Sequence, residues 1–248
     1  MIHFRFAYLT SGVLMYKIVA TSLIAASLLP SFALADETAV RKLLEGKASK
    51  IEKIVKSPVA GLWEVSADNQ VFYVDDAGKY LLVGNLIDGK SGRNITNERQ
   101  FAMLPLEFAM KQVRGDGKQT LVTFEDPNCG YCKKLARDMQ QLKNVTIYTF
   151  LYPVLGDDSV EKSKAIWCSA DKAKAWNDWM LSGKAPAAAS QKCDLAGLEK
   201  STETGQRMRV NGTPAIFFGN GERAGGYIPL PEIEKRMAAI ANSTASAN

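Results

Sequence analysis

Residues 120 to 142 constrain this chain most, because a strand, a turn and a helix follow one another there with a cysteine pair at the last junction. Thr120-Leu-Val-Thr-Phe124 is β-branched and apolar, the composition of a short strand. Glu125-Asp-Pro-Asn128 has the residues of a turn. From Lys133 onward, Leu135, Met139 and Leu142 recur at the spacing of one face of an amphipathic helix. Cys129 therefore falls at a helix N-terminus, where unpaired backbone N–H groups and the positive end of the helix dipole favour a thiolate. Such placement lowers a cysteine pKa from ~8.5 into the range of about 3.5–7.5. Cys132, one helical turn on, is the more shielded partner, able to resolve a mixed disulfide formed at Cys129.

Other uses of Cys129-Gly130-Tyr131-Cys132 fit poorly. A zinc ribbon needs a second close cysteine pair, but the remaining two, Cys168 and Cys193, are separated by 24 residues. Covalent haem attachment needs histidine after the second cysteine, and Lys133 stands there. A purely structural bridge would close too short a loop to remove much chain entropy. The single histidine, His3, lies in a leader segment, so no imidazole is left for a Cys–His or Ser–His–Asp hydrolase or for a zinc ligand. Thiol–disulfide exchange remains, a chemistry that requires no metal and no cofactor.

The leader is the address of an exported protein. Lys17 is followed by the apolar run Ile18–Leu29, then Pro30 and the small-residue pattern Ala33-Leu34-Ala35, so residues 1–35 read as a signal peptide cleaved after Ala35. Met15 is a second candidate start. An uncleaved anchor is the alternative, but the run is shorter than the ~20 residues of a spanning helix. Loss of the leader removes Arg5 and Lys17, taking the formal charge from +5 to +3 on 213 residues. Acids and bases alternate through the rest, which argues against nucleic acid as a partner. Four cysteines in an exported chain are read first as disulfide chemistry.

Elsewhere, Thr38 to Lys56 places Val40, Leu43, Leu44, Ile51, Ile54 and Val55 on one helical stripe, weakened at Gly46 and ended by Ser57-Pro58. Strands are predicted at Gly61–Ser66, Gln70–Val74 and Tyr80–Ile87, with Asp75–Gly78 as a hairpin turn. A unit of about 60 residues buries little core alone, so pairing with a second copy is physically sensible. Asn97 to Arg114 reads as a helical connector, capped at Thr96 and kinked or split by Pro105. Val210–Pro214 reads as a loop before the strand Ala215–Phe218, and Pro214 is either a turn residue or the second half of a cis Thr213–Pro214 bond. Trp176, Trp179 and Met180 recur at helical spacing as core. A bridge between Cys168 and Cys193 would contribute roughly 3–4 kcal/mol through loop closure; a second exchange site is the other reading of that pair.

Phe124–Leu135 together with Gly212-Thr-Pro-Ala215 resembles the thioredoxin superfamily, and within it the periplasmic disulfide isomerases of the DsbC/DsbG family, DsbC above all. The likeness continues through Pro58–Leu62, Val74–Lys79, Ala165–Cys168 and Gly226–Pro229. It implies an α+β/α/β architecture: an N-terminal α+β dimerisation domain over 36–96, a linker helix over 97–118, and a thioredoxin-like catalytic domain over 119–248 with a helical insertion at about 156–206. It further implies a V-shaped homodimer. Cys129 and Cys132 would be the catalytic pair, Gly130, Tyr131, Thr213 and Pro214 the substrate-binding loops with Pro214 cis, and Cys168–Cys193 a structural disulfide. Clients would be misfolded or wrongly bridged exported proteins in the periplasm, with a DsbD-like membrane reductase keeping the pair reduced. A DsbG-like reductase of oxidised single cysteines and a dimeric chaperone are the alternatives. One departure is Thr123, six residues before Cys129, where thioredoxin has a buried acid. The missing carboxylate predicts slow release by Cys132, which suits isomerisation.

Overall fold

The computed structural model describes residues 37–246 apart from positions 69 and 191. The leader and its cleavage site lie outside the described residues. Among the described residues, no helix is long and apolar enough to cross a membrane.

The first elements differ from the helical stripe expected over 38–56. Helix α1 spans only Glu37–Leu44, and Ile51–Lys56 forms strand β1. Gly46, at φ +69°, takes the chain out of the helix, with Lys47 N–H donating back to the Leu44 carbonyl at 2.9 Å. The Asp68 carboxylate then accepts from Ser49 and Lys50 N–H, each at 2.9 Å, and turns the chain onto strand β2, Leu62–Ala67. Ile51 and Ile54 still reach the core built from Val40, Leu44, Trp63 and Val65, but from a sheet. A period of 3.6 and a β-branched pair of strand positions coincide in this segment, and the pairing of Ile54 with Val65 decides it.

Strand β3, Gln70–Asp75, and the two-residue β4, Leu81–Leu82, complete an antiparallel sheet in the order β1-β2-β3-β4. The expected strand over 80–87 is thus only a short edge, with Ile87 bridging Asn94. The Asp75 turn is as expected: its carboxylate accepts from Lys79 N–H at 2.8 Å and Tyr80 N–H at 2.6 Å. Gly78 has φ +63°, and a Cβ there would lie 2.6 Å from the Ala39 carbonyl, so α1 packs directly on this turn.

The linker helix expected over 97–118 is a second correction. Helix α2 runs Ile95–Ala102, capped by Asn94, whose side chain accepts from Asn97 N–H at 2.9 Å. Thr96 is buried instead, its hydroxyl 2.6 Å from that of Tyr73. Pro105 ends the helical path, a single 3₁₀ turn follows at Leu106–Phe108, and Met110–Arg114 is strand β5. Its side chains alternate, Met110 buried and Lys111 and Val113 exposed, as a strand's do.

The second sheet has the order β5-β7-β6-β8-β9, with β6 (Gln119–Glu125) and β7 (Val145–Leu151) parallel and the other pairs antiparallel; β8 is Ala215–Phe218 and β9 Arg223–Ala224. On one face Leu121 packs with Leu135 and Met139 of helix α3 (Gly130–Met139) and with Ile233 and Met237 of helix α7 (Leu230–Ser246). On the other, Phe124 stacks on Phe150 at 4.8 Å and meets Phe217 and Tyr152 edge-on. Helices α4 (Asp157–Trp167), α5 (Lys172–Ser182) and α6 (Ala196–Arg207) fill the interval between β7 and β8.

Candidate active site

Strand β6 ends against a buried carboxylate. Asp126 is fully buried and accepts from the N–H groups of Asn128 (2.7 Å), Val154 (2.8 Å) and Leu155 (3.0 Å) and from the Ser159 hydroxyl (2.7 Å). Its carbonyl accepts from Cys129 N–H at 3.1 Å, which closes the turn. The inserted helices hold the same turn from outside: Trp179 Nε1 donates to the Pro127 carbonyl at 2.6 Å, and Asn128 Nδ2 to Asp158 at 2.7 Å. Trp179, expected as core, is thus also a clamp on the loop that presents Cys129.

Cys129 is the N-cap of α3, in an extended conformation, and its sulfur accepts from Cys132 N–H at 3.4 Å. Across from it the Thr213–Pro214 bond is cis, Pro214 is buried, and the Cys129 thiol reaches the Thr213 carbonyl at 3.3 Å. Both cysteines are free thiols, Cys129 7% exposed and Cys132 not at all. Gly130 and Tyr131, the residues between them, face solvent. Cys129, Cys132, Thr213 and Pro214 therefore meet at one point.

The electrostatics separate the two sulfurs. A hydrogen bond from the Cys132 side chain, then one from the Thr213 side chain and those from the Cys132 and Tyr131 backbone N–H groups, hold the Cys129 thiol down to about 5 against the opposing effect of burial. Burial pushes Cys132 far up, and the Cys129 sulfur and the charge of Glu125 push the same way.

Glu125 corrects the expectation drawn from Thr123. A buried acid is present after all, on the next inward-facing position of β6. Leu121, Thr123 and Glu125 alternate onto the face covered by α3, where Leu135 and Met139 sit over Leu121 and Cys132 lies one turn nearer the helix start. Glu125 is fully buried, Thr123 donates its hydroxyl to Oε1 at 2.7 Å, and Oε2 has no partner. Burial raises its pKa from 4.5 to about 8, the Thr123 hydrogen bond opposes this, and the Cys129 charge adds to it. The alternation of β6, carried one residue past Phe124, is the sequence signal that could have found it.

Cys168 and Cys193 are joined by a disulfide with Cα atoms 5.7 Å apart, tying the end of α4 to the segment before α6. It borders the core that holds Cys132, Trp176 and Met180. Replacing both by alanine is expected to lower unfolding free energy by roughly 3–4 kcal/mol in denaturant titration; a loss under 1 kcal/mol would argue against a stabilising role. Among the described residues, no cluster of three or more His, Cys, Asp or Glu could hold a metal.

Residues 106–241 match a family model described as a thioredoxin-like domain, and residues 31–97 match one described as a disulfide bond isomerase protein N-terminal domain. The chain is 45% identical over 184 residues to the probable thiol:disulfide interchange protein DsbC of Bordetella parapertussis, a match covering 71% of this chain and 65% of that protein's length. It is 33% identical over 213 residues to the thiol:disulfide interchange protein DsbC of Escherichia coli, covering 82% of this chain and 88% of the other. Among solved structures, a disulfide interchange protein from Neisseria gonorrhoeae superposes with a TM-score of 0.51 at 37% identity, over 55% of this chain and 97% of that one.

Proposed function

The chain belongs to the DsbC family of thiol:disulfide interchange proteins, and on that premise we propose that it isomerises wrong disulfides in exported proteins through Cys129 and Cys132. The Cys129 thiolate attacks one sulfur of a client disulfide; the client S–S bond breaks, its other sulfur leaves as a thiolate, and a mixed disulfide forms. Another client thiolate then attacks the client sulfur of that bond, making a new client disulfide and returning Cys129 as thiolate. No electrons are gained or lost overall. In the competing exit Cys132 attacks Cys129, so the client leaves reduced by two electrons and the 129–132 pair is oxidised. Each such exit leaves the pair oxidised, and a donor of two electrons has to reduce it before Cys129 can attack again, the role of a DsbD-like membrane reductase.

The observation that carries this reading is the asymmetry of the pair: a sulfur held down to about 5 at the start of α3 with only a small part of it exposed, backed by one that is fully buried and holds its proton. At neutral pH Glu125 is mostly protonated and is a poor acceptor for the Cys132 proton, which slows the reductive exit and leaves time for client thiols to act. Slow resolution thus survives the correction of Thr123, for a different reason.

The matched N-terminal model supports assigning residues 36–96 to dimerisation and residues 119–248 to catalysis. Tyr80, Leu81, Leu82, Val83 and Ile87 are exposed along the short β4 edge, an apolar strip that a second copy would cover. The leader supports a periplasmic location. Refolding of scrambled ribonuclease tests the activity. The reduced protein is expected to restore ribonuclease activity and its Cys129→Ala variant to restore none; equal recovery with both would leave a chaperone in place of an isomerase.

A further inference from the structure

Tyr131 is 64% exposed, yet its ring is not free to swing. It stacks on Tyr227 with centroids 6.1 Å apart and an interplanar angle of 27°. Tyr227 is itself fixed from two sides: its hydroxyl donates to Asp138 at 2.6 Å, and Lys134 Nζ lies 4.5 Å from its ring centre. Its ring also packs against the core cluster of Leu121, Leu135 and Ile233. Asp138 and Lys134 both belong to α3, the helix whose N-cap carries the reacting sulfur. A buried-side anchor thus holds an exposed aromatic face two residues from Cys129, and Gly130 between them leaves open space where a side chain would otherwise stand.

Cys129 has the Thr213 loop on one side and the first turn of α3 on the other. These are the two surfaces next to a client cysteine bonded to it. We propose that Tyr131, held by Tyr227, is a fixed aromatic platform selecting client cysteines that are flanked by an aromatic side chain. Such residues are buried in correctly folded proteins and exposed in misfolded ones, so the platform directs the thiol toward wrong disulfides. This inference rests on the reading of Cys129 as the attacking sulfur.

The test uses the reduced full-length protein and two peptides, identical except for Phe or Ser beside a single cysteine carried as the mixed disulfide with one small thiol. Attack on the Phe peptide is expected to be about fivefold faster, the scale of one aromatic pair. In Tyr227→Ala and in Tyr131→Ser the Phe-to-Ser rate ratio is expected to fall to about one. Tyr131 is at the surface, so that variant decides the matter where loss of Tyr227 disturbs folding. Equal rates for the two peptides with the natural protein, or a ratio unmoved in the variants, would overturn the platform while leaving the exchange chemistry standing. Reaction with neither peptide would overturn the reading of Cys129 as well.

Discussion

Alkylation of the reduced protein across pH 4 to pH 10 is expected to label Cys129 with a midpoint near 5 and to leave Cys132 unlabelled throughout. The reason is local. Cys129 sits where α3 begins, so the Cys132 side chain one turn on donates to its sulfur, the Thr213 side chain adds another hydrogen bond, and the Cys132 and Tyr131 N–H groups that the helix cannot satisfy internally add theirs. At pH 6 a thiol with pKa about 5 is ~90% ionised, whereas an unperturbed one at ~8.5 is ~0.3% ionised, about a 300-fold difference in thiolate. Lower basicity also lowers intrinsic nucleophilicity, with a Brønsted slope of about 0.4–0.5, which takes back a factor of roughly 25–60. The net gain over an ordinary cysteine is therefore on the order of tenfold at pH 6, and it shrinks as the pH rises and ordinary thiols ionise. Cys132, fully buried, gains none of it. A midpoint for Cys129 above pH 8 would remove the basis for its role as the attacking sulfur.

The reacting end of this site was legible because its pattern is short-ranged. A β-branched run, a turn with Pro127, and Leu135, Met139 and Leu142 on one face leave Cys129 only one place to stand, and the helix does start there. What was illegible depends on contacts between distant segments. Ile51–Val55 continues the helical period of Val40–Leu44 well enough to be read as one stripe, and only its pairing with β2 makes it a strand. Met110–Arg114 is five residues long and acquires its identity as the edge strand from Val145–Thr149, a partner distant in the sequence. Thr96 and Asn94 are both capping residue types, asparagine the better of the two; the Thr96 hydroxyl is paired with that of Tyr73, and Asn94 caps α2. Glu125 was read as the first turn residue because a charged side chain at the end of an apolar run ordinarily points outward. Here it is the last inward position of β6, one alternation beyond Thr123.

Glu125→Gln is expected to flatten the dependence of stability on pH. The carboxyl has an ordinary pKa of 4.5 and is raised to about 8 in the folded protein, chiefly because burial disfavours its charge. The folded state therefore binds this proton more tightly than the unfolded state. Its contribution is complete below pH 4.5, declines as the unfolded chain ionises above that value, and is gone once pH exceeds about 8. The shift corresponds to a loss on the order of 5 kcal/mol across that window. Cys129 titrates with the opposite sign, its lowered pKa adding stability as pH rises, so the measurement belongs on the protein with the 129–132 pair oxidised, where no thiolate forms. Denaturant midpoints taken from pH 4.5 to 8.5 should fall for the natural protein and stay level for the variant, which keeps the shape and the Thr123 hydrogen bond but cannot ionise. Its NH2 group, with two N–H donors, takes the buried place of Oε2, which has no partner, and the resulting cost of at least about 1–3 kcal/mol is the same at every pH and so does not mimic the slope. The same titration governs the reductive exit. Above pH 8 the ionised carboxylate can take the Cys132 proton, so mixed disulfides of the natural protein should shorten in lifetime through that range while those of Glu125→Gln persist. Equal lifetimes in the two proteins at pH 9 would show that the Cys132 proton leaves by another route.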